Sequence, residues 1–249
     1  MLHRKRVYSI AGMTGTTNDP IRRILAGALL VFPCLFILVF VMHFHHAADF
    51  FHFQLRYVPR APERVVASLI RAQNNWPLIH DPHMIGYLGL PIIPLCAFAL
   101  YVLGRRARPL ASAVTMMITV TGTIYLGGVF GMWTAFYRGL GLVDPKHLEG
   151  ATATFAAMTT NQGAFLVTTT LAKLAMIGLA AQALSLLGTG VARTWAILCI
   201  VVGCGLFLAF WDLDNWMLIG TLLMMAGFMP MRRALLQGEE GQAVATAAV

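Results

Sequence analysis

A chain of 249 residues that is 58% hydrophobic and only 11% charged is too apolar for an ordinary soluble domain, in which charged residues approach ~25%. Its net charge of +8 is split among short segments, with no basic domain to carry it, and this argues against nucleic-acid binding. The composition points to an all-α, polytopic protein of the lipid bilayer.

Residues 1–20 are polar, basic and interrupted by Gly12, Gly15 and Pro20, the pattern of a disordered cytoplasmic tail. Asp19-Pro20 then offers a helix start, with the aspartate as N-cap and the proline at the first helical position, where its missing N–H costs nothing. A transmembrane helix needs roughly 17–25 apolar residues. Six runs approach or meet that length: Ile24–Met42, Met84–Leu103, Val114–Phe136, Ala164–Leu187, Thr194–Phe210 and Met217–Met229. They define a six-helix transmembrane domain over 21–236, with an outer loop at 48–82. A second disordered cytoplasmic tail is expected at 237–249. The first run exceeds the ~7–15 residues of a signal-peptide core and lacks a small-residue cleavage site, so it is expected to stay as an anchor.

Between the first two spans, Pro62–Arg71 has helical period, with Val65, Val66, Leu69 and Ile70 opposite Glu63, Arg64 and Arg71. It predicts a short amphipathic helix on the outer membrane surface. Asp81-Pro82 repeats the cap-then-proline start. Pro91 and Pro94 predict a kink in the second span. In the third span, Gly127-x-x-x-Gly131 is a close-packing signal. The threonines Thr168–Thr170 of the fourth are expected to bond their own preceding turn. Lys173 is the one ionisable residue well inside a predicted span. A charge there is costly and calls for a polar partner. Cys34, Cys96, Cys199 and Cys204 all lie in apolar segments without a Cys-x-x-Cys pair, so neither a disulfide framework nor a zinc site is expected.

Six spans put both termini on one side, and the basic residues choose it. Arg4, Lys5, Arg6, Arg22, Arg23, Arg105, Arg106, Arg108, Arg193, Arg232 and Arg233 share a face with only Asp19, Glu239 and Glu240. That face is expected to be cytoplasmic, in the cell (inner) membrane.

The opposite face holds the densest chemistry. Six of the eight histidines fall between His43 and His83. If the first helix runs about two turns past Met42, then His45, Asp49 and His52 share a stripe at i, i+4 and i+7. His80 and His83 return to the same face at the start of the second span. The Trp211–Trp216 hairpin tip can add Asp212 or Asp214. Two imidazoles and a carboxylate suit Cu, Fe or Zn and leave positions open for a substrate. The leading expectation is therefore a metal site of His45, Asp49, His52, His80 and His83 serving redox or hydrolytic chemistry at the membrane interface. Two alternatives stand beside it. One is a haem b held by His43 and His83, the pair nearest the hydrocarbon edge. The other is a non-catalytic subunit or transporter with a membrane-protein partner or a homo-oligomeric state, in which Lys173 and glycine packing matter. His43-Phe44-His45-His46 has no second HxxHH-like box elsewhere in the chain, so multi-box membrane desaturases and hydroxylases are not matched.

Overall fold

The computed structural model describes residues 19–44, 46–56, 61–75, 82–158, 163–211 and 213–247, and its regular structure is all helical. In order the helices are α1 (Pro20–Val41), α2 (Pro62–Asn75), α3 (Pro82–Gly89), α4 (Ile92–Gly104), α5 (Pro109–Gly141), α6 (Leu148–Met158), α7 (Gly163–Ala172), α8 (Leu174–Leu184), α9 (Thr194–Ala209) and α10 (Asp214–Ala247). Among the described residues, five segments are long and apolar enough to cross a bilayer: Pro20–Val41, Pro82–Gly104, Pro109–Gly141, Phe165–Leu184 and Asp214–Gln237. The protein is a multi-pass α-helical membrane protein. The remaining apolar helix, α9, has 16 residues, about 24 Å at 1.5 Å per residue, somewhat less than a ~30 Å hydrocarbon core.

Local chemistry sets the helix ends. The Asp19 carboxylate accepts a hydrogen bond from the Ile21 amide at 2.9 Å, and Pro20 opens α1 as expected. The far end of α1 departs from expectation. The helix stops at Val41 and does not continue for two turns past Met42. The amides of His43 and Phe44 bond the carbonyls of Phe40 and Val41, tightening the last turn to i→i−3 spacing. After this the chain reforms only as a 3-10 turn, Ala47–Phe51. The absence of glycine and proline permitted a longer helix, but the head of α10 supplies donors that favour the break. Asn215 donates to the carbonyls of both Asp49 and Phe50, and Trp216 Nε1 donates to the Gln54 carbonyl at 2.8 Å.

The second span is broken as its prolines require, α3 giving way to α4 at Leu90-Pro91. α2 is present, but its apolar face is turned onto protein. Val66 and Ile70 are buried in a small cluster with Leu140 of α5 and Ala151 and Phe155 of α6. α5 is long enough, at 33 residues or about 50 Å, to traverse the bundle and still provide this platform.

The main core joins α1, α4, α5, α8, α9 and α10, with Phe32, Phe36, Leu100, Met176, Ile197, Ile200 and Phe228 fully buried. Its tightest crossings are made by glycines other than the expected pair. Gly127 and Gly131 have only ordinary contact with Leu90 and Tyr87. A side chain at Gly122 would instead strike the Ala175 backbone, and one at Gly178 the Thr119 backbone, so α5 and α8 meet main chain to main chain there. Gly203 and Gly220 do the same for α9 and α10, each facing the other's carbonyl. Buried Gln182 of α8 donates to the Ala97 carbonyl of α4 at 2.8 Å. Thr169 and Thr170 bond back to the carbonyls of Phe165 and Leu166, as expected. All four cysteines are free.

The two ends of the bundle differ in charge. At one end Arg22, Arg105 and Arg106 line a cleft with Thr189, Val191 and Leu235, which brings together the start of α1, the α4–α5 turn, the α8–α9 loop and the second half of α10. Arg108 of the same turn donates to the Leu187 carbonyl at 3.0 Å. The histidine end is opposite.

Candidate functional site

Four helices deliver a polar group to the histidine end. His43 follows the last turn of α1, and its Nδ1 lies 2.9 Å from the Val39 carbonyl oxygen. A carbonyl can only accept, so Nδ1 is the donor in this contact. Asp214, the first residue of α10, brings Oδ1 to 3.7 Å from the same Nδ1. Its position at the start of α10 sets this side chain at the positive end of the helix dipole. His83, in the first turn of α3, meets the His43 ring edge to face, with centroids 5.4 Å apart and an interplanar angle of 89°. On its other sides His83 packs against Tyr137 at 5.2 Å and Phe130 at 6.0 Å, both from α5. The side chains of His43 and Asp214 are about a quarter and a third exposed, which places the group at the rim of the bundle and reachable from water.

The structure brings together only part of the residue set expected from the sequence. His43 meets His83 on one side and Asp214 on another. Asp49 is engaged locally, accepting from the His46 amide at 2.9 Å to cap the 3-10 turn. His52 is exposed, and its Nδ1 lies 2.9 Å from the Ala48 carbonyl. Because α1 stops at Val41, the i, i+4, i+7 stripe does not form. His45, His80 and Asp212 lie outside the described residues. Among the described residues no three His, Cys, Asp or Glu side chains are grouped to hold a metal ion.

The pairing of His43 with His83 does not fit a haem. Two axial imidazoles place their ligating nitrogens ~4 Å apart on a line through the iron, with the macrocycle between the rings. Here one ring edge abuts the other ring's face, which leaves no such slot. Tyr137, Phe130 and Asn215 were not anticipated as parts of this region. The first two carry no polar pattern that separates them from core aromatics, and Asn215 sits inside a Trp-flanked tip that reads as an interfacial belt.

Lys173 lies at the junction of α7 and α8 and is half-buried. Its carbonyl accepts from the amides of both Met176 and Ile177 at 3.1 Å. The polar partner expected for its ammonium is not found among the described residues. An ammonium at mid-bilayer costs about 2.5–3.5 kcal/mol on insertion scales.

After α5, Asp144 caps the short Pro145–His147 turn. The Lys146 ammonium at 2.7 Å and the Lys146 amide hold its carboxyl below the usual range. Comparison with protein-family models, curated proteins and solved structures finds no match to this chain.

Proposed function

We propose that the chain is a six-span inner-membrane protein with both termini cytoplasmic. Its outward polar centre of His43, His83 and Asp214 binds a transition-metal ion (Cu, Fe or Zn) for redox or hydrolytic chemistry at the membrane interface. One observation carries this reading. Two imidazoles and a carboxylate, from helices far apart in sequence, lie at one rim of the bundle, with His43 in contact with both of the others and its Nδ1 held by a backbone carbonyl. The Val39 carbonyl then orients the ligating histidine through its other nitrogen, with the Asp214 carboxylate close beside that N–H. The orientation is supported by the arginine cleft at the opposite end, since positive residues favour the cytoplasmic side. α9 serves as the fifth span through local bilayer thinning, at a cost of fractions of a kcal/mol per Å.

A second reading, a non-catalytic subunit or transporter, is favoured by the lack of a three-ligand group among the described residues. In that reading the His43–Asp214 contact ties the ends of α1 and α10 together. Metal analysis and a visible spectrum of the detergent-purified protein separate the two. A stoichiometric transition metal, largely lost in His43→Ala and His83→Ala, supports the metal site. Metal-free protein from metal-replete cells selects the subunit or transporter. A Soret band would replace both with a haem held elsewhere.

A further inference from the structure

Lys173 sits where a lone charge is least tolerated. Leu166, Ile177 and Leu184 are 46%, 43% and 40% exposed, and with Lys173 they form one stripe at i, i+7, i+11 and i+18. Exposed Thr170 lies on the same stripe, its hydroxyl donating to the Leu166 carbonyl. This face of α7–α8 is turned away from the bundle. The span runs from Phe165 to Leu184, so Lys173 lies on the order of 12–16 Å from either end, close to the middle of a ~30 Å core. Its four-carbon stem reaches roughly 6 Å, too short for the ammonium to snorkel to either surface.

Among the described residues nothing pairs with it. A second copy of the chain offers no carboxylate at this depth, because all ten Asp and Glu residues lie outside the six apolar runs of the sequence. We infer that the α7–α8 face carrying Lys173 is the docking surface for a transmembrane helix of a different protein that presents an aspartate or glutamate near the bilayer centre. The rest of the stripe suits that occupant, with leucine and isoleucine for helix packing around a single central charge pair. The inference rests on the chain spanning a membrane and is independent of any metal at His43.

The test uses the full-length protein in lipid nanodiscs with synthetic single-span polyleucine helices carrying Asp, Asn or Leu at the central position, their association read by energy transfer. The Asp helix is expected to bind about tenfold more tightly than the Leu helix, a typical gain for a polar contact between membrane helices. Lys173→Met should abolish that difference and Lys173→Arg should keep it. Equal binding of the Asp and Leu helices, or an Asp preference that survives Lys173→Met, overturns the proposal. So does efficient cross-linking between copies carrying Lys173→Cys in a background without the four native cysteines. Thermal melting provides the folding control. Lys173→Met should melt no lower than the parent, since it loses an unpaired charge, and a clear drop would reveal a partner within the chain and overturn the inference. Metal content is expected to be unchanged in every Lys173 variant.

Discussion

At the scale of single residues, the head of α10 governs the histidine end. Asn215 donates to the carbonyls of Asp49 and Phe50, which belong to a segment that is no longer α-helical. Asn215→Ala leaves those acceptors without their donor and is expected to cost about 1–3 kcal/mol, seen as a lower melting temperature in detergent. The isosteric Asn215→Asp should be at least as damaging, because it turns a donor into a repelling oxygen. Asp144 yields a pH prediction. Lys146 lowers its folded-state pKa, so the capped turn contributes stability above the ordinary carboxylate value and loses it as pH falls through the lowered one. Replacing Lys146 with Met should raise the Asp144 titration midpoint toward the ordinary carboxylate value, read by carboxyl-carbon NMR. Neutral-pH stability should change little, because both groups are well exposed.

At the scale of elements, glycine position decides which helices touch. Gly122 and Gly178 allow α5 and α8 to meet backbone to backbone, whereas Gly127 and Gly131 face flexible side chains of the second span. Gly122→Ala and Gly178→Ala are therefore each expected to destabilise by about 1–3 kcal/mol through forced separation of the two helices. Gly127→Ala should be neutral within error in the same melting experiment. The GxxxG spacing was visible in the sequence, but spacing alone does not say which face of a glycine-rich helix meets a backbone. The break in the second span was legible for a simple reason: Pro91 cannot donate to the helical ladder in any context. The end of α1 was not legible. No residue between Met42 and Phe51 forbids helix, and the donors that favour the break come from a hairpin some 165 residues later.

At the scale of the whole molecule, the alternation of ends predicts a topology. Single cysteines at exposed Ser68 and Gln237, in a background without the native four, should be labelled from opposite sides of the membrane; labelling of both from one side would refute six spans. Composition and apolar run length were enough to establish a multi-pass helical protein, because the cost of burying polar backbone in hydrocarbon leaves helices as the solution for such a chain. The positions of five of its spans, its proline break and its proline-led helix starts follow from local chemistry and were readable in order. The make-up of the polar centre was not. The sequence concentrated histidines at one end, yet the structure engages Asp49 and His52 with nearby backbone and sets His43 against both His83 and Asp214. Periodicity ranks neighbours along one helix, whereas this cluster is assembled across helices, by the register in which α1, α3, α5 and α10 pack. That register is set by side-chain volume and close glycine contacts between segments distant in sequence, and these exist only once the chain has folded.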